Sequence, residues 1–469
     1  MKIIVFPFLL AFLAAGGGAW AQNLTGEWTG AIFFANLNAE LETSFTIQQE
    51  EQKVEGHSTR NASKRILGGF KGGLVKIFAK KTFEKGALLH IRKGSVEGDS
   101  IKAVLSTIFG STYWFRGQIL GDTLLKGVLL DGRLRPQGGF ILKRGVFSPV
   151  ADYEKITENL FDLTLEKIYK REACLEKPFP AFEKKFKSIS RKLVDDADFF
   201  AAFYYLSQQK YSLPFTHYML AKPASAAMKA EAPEKPAAPA SAPVKKVEDL
   251  SLSFLDDQTA LITITSFSGH PVALIDSCFG ILKARNTPNC IIDLRNNTGG
   301  TISSMRIAEH LTDSILYGGF FLTNKWFASN KGLPDAGQYD RLPELNESNL
   351  EKLWNGIHTM EGFKLKVVPQ ESLYKGKVFV LTSGRTASAC EPLCYNLKYY
   401  RKAVLVGQKT SGAMLNGEKF RLEPGWQLEI PTADYYTIDG KRIDLVGVPP
   451  DHEVAKDGEI EFVLKELIK

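Results

Sequence analysis

The sequence predicts a multidomain α+β protein with an N-terminal antiparallel β-barrel or sandwich, a helical subdomain and a C-terminal α/β core. Three observations predict it. Through the first third, apolar positions such as Leu41, Phe45 and Ile47 recur at every second residue, the period of a half-buried strand. Between about Asp152 and Gln209 the period lengthens to that of a helix. Beyond residue 247, apolar runs of strand length alternate with helical stretches, the pattern of a sheet covered by helices. At 469 residues the chain exceeds what one core organises, so two to four domains are expected. Its net charge of +7 is spread over 59 basic and 52 acidic residues with no dominant basic stretch, which argues against a nucleic-acid partner.

Met1 and Lys2 precede an apolar run from Ile3 to about Ala15, and Ala19-Trp20-Ala21 follows as a small-x-small cleavage pattern. Residues 1–21 are therefore expected to be a signal peptide, with export to the periplasm or the extracellular space. No cysteine follows the apolar run, which disfavours lipid attachment there, and no later stretch has the length of a membrane span.

Residues 22–147 read as the β-domain: short runs such as Ala87 to Ile91, Tyr113 to Phe115 and Gly139 to Leu142 are separated by Gly and Asp turns. Its opening, Gly26-Glu27-Trp28-Thr29-Gly30, is similar to the Gly-x-Trp start of lipocalin-like barrels, with Trp28 expected to plug the core. Residues 148–222 carry helical apolar stripes at Ile156, Leu160, Leu163 and Ile168, then Phe182, Phe186 and Ile189. Residues 223–247 are rich in Ala, Pro, Lys and Glu and read as a linker that cannot bury enough apolar surface to fold. Residues 248–469 form the predicted α/β core, with strands at Leu261 to Thr265, Cys290 to Asp293, Val378 to Leu381 and Ala403 to Val406 and helices around Ile302 to Ile315 and Ala389 to Tyr400.

Ser388 sits where the apolar run from Val378 ends in small residues and a helical pattern begins. A helix start offers backbone N–H groups with no intrahelical partner and the positive end of the dipole, so an oxyanion forming beside Ser388 meets ready donors. The competing reading is that Thr386 or Ser388 only caps the helix. A serine nucleophile also needs a base, and seven histidines are available. His57 and His90 fall in the β-domain, His270, His310, His358 and His452 have uninformative surroundings, and His217 closes the helical subdomain on a short Pro-marked segment. Five cysteines imply no disulfide framework, and Cys390 and Cys394 lie one helical turn apart without ligand spacing around them, so no metal or organic cofactor is indicated.

Four segments come in an order and approximate spacing that resembles the C-terminal-processing (tail-specific) serine peptidases, whose branches include the tricorn core. They are Asp293 to Gly300, Thr386 to Glu391, Val406 to Gly412 and Gly447 to Asp451. The resemblance implies a core of the crotonase and Clp-peptidase type and a peptidase that acts through an acyl-enzyme on Ser388. One branch of that family places a dyad lysine shortly after a Gly-x-x-Thr-x-Gly stretch; here that place holds Ala413, and Lys409 nearby carries no implied role. The tricorn-like branch implies instead a tetrad: His217 as general base, Thr216 where the family has Ser, Asp444 where it usually has Glu, and Ser388 as nucleophile. The same resemblance assigns the oxyanion hole to the backbone N–H of Ala389 with one from Gly299 or Gly300, while Asp293 and Arg295 are expected to fix the turn.

The family often carries a PDZ domain between the early histidine and the core; here that interval holds only the linker. A peptide or protein substrate is implied, chosen by the helical subdomain or the barrel. Two other classes stay open: a catalytically inactive peptide- or lipid-binding protein on the same fold, and a carbohydrate- or envelope-associated structural protein.

Overall fold

The computed structural model describes residues 23–67, 86–107, 110–146, 151–226, 249–269, 271–346 and 350–468, together with Ser148 and Met228. The expected signal peptide and nearly all of the expected linker lie outside the described residues. The chain divides into two compact units, residues 1–36, 40–148 and 224–233 in one and residues 37–39, 149–223 and 234–469 in the other.

The first unit is a closed antiparallel barrel of eight strands: β1 (Gly26–Phe34), β2 (Ala39–Glu50), β3 (Lys53–Ser58), β4 (Leu89–Glu97), β5 (Ser100–Thr107), β6 (Thr112–Leu120), β7 (Leu124–Leu130) and β8 (Pro136–Arg144). β1 pairs with β8 from Trp28 to Phe34, so neither terminal strand leaves an open edge. The inward positions that the alternation predicted fill the barrel: Trp28, Ile32, Phe45, Ile47, Phe115 and Phe140 are fully buried, and the Phe115 and Phe140 rings stack at 3.7 Å. Trp28 is a core residue whose indole N–H donates to the Leu24 carbonyl at 2.8 Å, with the Arg144 guanidinium over its ring.

The second unit holds two sheets. The first has the order β10 (Leu250–Phe254), β11 (Thr259–Ile264), β12 (Asn289–Asp293), β16 (Lys377–Thr382), β17 (Val404–Gly407) and β20 (His452–Glu453). It is parallel from β11 to β20. The expected core strands are β11, β12, β16 and β17 of this sheet. The second sheet runs β14 (Glu344–Leu345), β15 (Gly362–Val367), β13 (Leu316–Thr323), β19 (Trp426–Tyr436) and β18 (Leu415–Leu422), and β9 (Met219–Ala221) also pairs with β19. Ile262, Ile292, Val380 and Leu405 of the first sheet and Phe321, Leu365 and Tyr435 of the second meet in one core. A smaller cluster of Ile291, Phe379, Leu381, Val406 and Val463 covers the other face of the parallel sheet.

The helices that position the site are α1 (Tyr153–Lys167), α2 (Phe179–Ser190), α3 (Asp196–Tyr204), α4 (Val272–Ala284) and α5 (Cys390–Tyr399). The first three join through rings: Phe161 meets Phe179, Phe182 and Phe186, and Phe199 stands edge-on to Trp426 of β19 at 5.1 Å. The single helix expected over Ile302 to Ile315 is instead two short turns, Ile302–Met305 and Arg306–Glu309, followed by loop. In that loop the Thr312 hydroxyl donates to the Ser314 carbonyl at 2.8 Å. Among the described residues no helix is long and apolar enough to cross a membrane.

Candidate functional site

The turn from β16 into α5 carries Ser388. Its conformation is fixed from outside: the Thr386 hydroxyl donates to the Leu294 carbonyl at 2.9 Å and accepts from the Ser383 amide at 2.9 Å, and the Ala387 amide donates to the Asn297 carbonyl at 3.2 Å. Thr386 therefore ties the turn to the exit of β12 and does not cap α5. Ser388 has φ 54°, left-handed backbone that a side chain seldom adopts, which turns its half-buried hydroxymethyl group out of the helix line. Among the described residues its Oγ has no hydrogen-bond partner, so it does not cap the helix either.

Glu391, three residues on, was not singled out from the sequence, although Ser-x-x-Glu is half of a helix-start signature. Its fully buried carboxylate accepts from the Ser388 amide at 3.0 Å, the Ala413 amide at 2.9 Å, the Gly412 amide at 2.7 Å and the Thr410 hydroxyl at 2.7 Å. Burial pushes its pKa up, and these four donors pull it back. Ala413, at the position where a dyad lysine would stand, thus contributes an amide to the carboxylate that holds the Ser388 turn.

Two glycines complete the turn's surroundings. Gly299 has φ 105°, and a Cβ there would lie 2.5 Å from Ser388 Cβ and 3.1 Å from the Ala389 nitrogen, so only glycine lets this backbone lie against the serine. The Gly299 amide is engaged, donating to Asn297 Oδ1 at 2.8 Å. In this conformation that bond turns the amide into the Asp293–Gly300 turn. Gly300, with φ 137°, and Ala389 have amides without an acceptor among the described residues.

His217 enters from the helical side. Its neighbours Phe215 and Tyr218 are buried in the ring cluster of α1 to α3, where Tyr218 hydroxyl meets Thr164 Oγ1 at 2.8 Å, and Leu220 pairs with Leu428 in the sheet. The histidine between these anchors has φ 55°. Gly417 of β18 admits it: a Cβ there would lie 2.8 Å from His217 Cδ2.

The Thr216 hydroxyl lies 2.9 Å from His217 Nδ1 and donates to Asp444 Oδ1 at 2.5 Å. A hydroxyl has one proton, so with Asp444 receiving it Oγ1 must accept from Nδ1–H, which leaves the Nε2 lone pair free. Asp444 is 1% exposed and also accepts from the Thr216 amide at 3.4 Å, the Met414 amide at 3.1 Å and Arg442 Nη2 at 3.2 Å. Burial raises its pKa, opposed by the Thr216 hydroxyl and the Arg442 charge. Burial pushes the His217 imidazole down to about 4, so it is neutral at neutral pH.

The structure therefore brings Thr216, His217 and Asp444 into one chain of hydrogen bonds and sets Ser388 beside Gly299 and Ala389. The two groups meet through the Ala413-Met414 dipeptide, whose first amide bonds Glu391 of the serine turn and whose second bonds Asp444. Among the described residues no hydrogen bond joins Ser388 Oγ to His217 Nε2. Asp293 and Arg295 pair with each other, Arg295 also reaching Glu459 at 2.6 Å, and Lys409 is exposed. His310 stacks on Phe279 and bonds Asp276 at 2.7 Å, away from these residues, and Cys390 and Cys394 are buried thiols.

Residues 258–454 match the model of Peptidase family S41, a span that includes Ser388 and Asp444 and stops short of Thr216 and His217. The chain is 27% identical over 198 residues to "Carboxyl-terminal-processing peptidase 2, chloroplastic" of Arabidopsis thaliana, covering 42% of this chain and 32% of the relative. It is 23% identical over 218 residues to the "Tail-specific protease" of Haemophilus influenzae, covering 42% and 26%. The chain thus spans about a third of the length of the curated relatives it matches. The solved tricorn protease superposes with a TM-score of 0.41 at 11% identity, covering 89% of this chain and 46% of that one.

Proposed function

We propose, from the peptidase family S41 domain that residues 258–454 form, that this protein is a serine endopeptidase acting through Ser388 and His217. The observation that carries the proposal is the Asp444–Thr216–His217 chain, which fixes the imidazole tautomer with Nε2 unprotonated and free. Nε2 takes the Ser388 hydroxyl proton as Oγ bonds to the substrate carbonyl carbon. The carbonyl oxygen becomes an oxyanion that receives the amides of Ala389 and Gly300. Collapse of this intermediate breaks the C–N bond, and Nε2–H returns its proton to the leaving amine. Water, deprotonated by the same nitrogen, then releases the acyl group and restores Ser388. Thr216 and Asp444 support the imidazolium that exists between these proton transfers.

Export and a mature start at Gln22 belong to the same proposal and rest on the composition of residues 1–21. A peptide or protein substrate follows from the reaction class. A fluorophosphonate probe should label the wild-type protein and not Ser388→Ala, and the variant should lose peptide hydrolysis by at least about 10⁴-fold. Peptide binding by the wild type without labelling or turnover would instead make the protein a binder on this fold.

A further inference from the structure

We propose that Glu429 forms a subsite beside His217 for a cationic group of the substrate peptide. The inference rests on the peptidase reading above and deepens it. Glu429 lies in the middle of β19, flanked in register by Met219 of β9 and Lys419 of β18. Its side chain shares a face with Gly417. A Cβ on Gly417 would lie 2.5 Å from Glu429 Oε1 and 2.8 Å from His217 Cδ2, so the carboxylate and the imidazole edge converge on one point.

Glu429 is 8% exposed, yet among the described residues no hydrogen bond or ion pair reaches its carboxylate. Two other buried carboxylates of this unit, Glu391 and Asp444, each accept four hydrogen bonds. Lys419 stands opposite across the ladder without forming an ion pair with it. A carboxylate held at this depth keeps only part of its water, and a cation arriving from solvent offsets what burial takes away. Burial raises its pKa against the opposing charge of Lys419, and a cation bound directly to the carboxylate would lower it further. Met219 and Lys419 on either side are exposed, so the face opens to solvent at this point. Hydrogen-bonded to Glu429, a cation would hold its peptide alongside the base.

The cation can come from a Lys or Arg side chain or from a free α-amino terminus. Three peptides of otherwise identical sequence separate these sources: one N-acetylated with Lys next to the scissile bond, one N-acetylated with Met there, and one with Met and a free amino terminus near that bond. For the wild type, kcat/KM for one cationic peptide should exceed that for the blocked Met peptide by about tenfold or more. In Glu429→Gln that ratio should fall to about one, and Glu429→Asp should recover part of it. The same ratios read as affinities for Ser388→Ala and for Ser388→Ala/Glu429→Gln need no turnover. A wild type that cleaves all three peptides equally would overturn the subsite and leave the peptidase reading intact. So would a Glu429→Gln variant that loses rate equally on all three with a displaced acid limb in its pH profile, since Glu429 would then act on His217. Loss of fluorophosphonate labelling and turnover in every form would defeat the peptidase reading, and the affinity ratios would still decide the subsite.

Discussion

At the scale of single residues, the site depends on which atom holds a proton. Thr216 matters because its one hydroxyl proton goes to Asp444, which obliges the His217 ring to donate through Nδ1 and leaves Nε2 basic. Serine would serve the same bond, so the threonine departure keeps the logic of the tetrad. His217, pushed down to about 4 by burial, stays an unprotonated base well below the range of an exposed histidine. The acid limb of kcat/KM should therefore fall near pH 4 to 5, not near 6.5, when peptide hydrolysis is measured across pH. Stability runs in the matching direction. Unfolded chain takes up the proton at about 6.5 and folded chain resists until about 4, so unfolding binds a proton within that window and this residue's contribution to stability falls as pH drops through it. An acid limb at 6.5 would mean that the base is another group or that His217 is solvated.

At the scale of elements, the Ser388 turn is organised by one carboxylate. Glu391, itself in α5, collects donors from the Thr410–Ala413 loop and from the Ser388 amide, so it holds helix, loop and turn in register. Glu391→Gln supplies one acceptor oxygen and turns an NH₂ toward these donors. It should lower stability by about 2–4 kcal/mol and depress labelling of Ser388, measured by thermal unfolding and probe kinetics. An unchanged melting temperature would remove Glu391 from this role. Local pattern made the turn legible: the apolar run from Val378, the small residues after it and the onset of helical spacing mark the β16–α5 junction without any partner in view. Gly417 and Glu429 left no such mark. Their place beside His217 follows from the pairing of β9 with β19, a contact that joins residues far apart in sequence and that no local period encodes. The second sheet was hidden for a related reason, since Gly362–Val367 and Leu415–Leu422 mix Lys, Arg and Glu into their strands and blur the apolar run. Thr216 and Asp444 were legible only through family resemblance, 228 residues apart as they are.

At the scale of the whole molecule, the barrel and the Ser388 site fall in different compact units. The barrel closes on itself through β1 and β8 around its own aromatic core, while every residue of the Ser388–His217 arrangement belongs to the other unit. Removal of the chain before Asp152 should leave hydrolysis of short blocked peptides within about threefold of wild type. The same deletion should slow hydrolysis of folded protein substrates if the barrel recruits them, and equal rates on proteins would deny it that task. The spread of the site along the chain has one more effect. Thr216 precedes the hydroxyl-bearing turn in the chain and Asp444 follows it. A cut or truncation between these positions would therefore part the hydroxyl–carboxylate pair that sets the imidazole tautomer, and leave the Ser388 turn beside an unoriented ring.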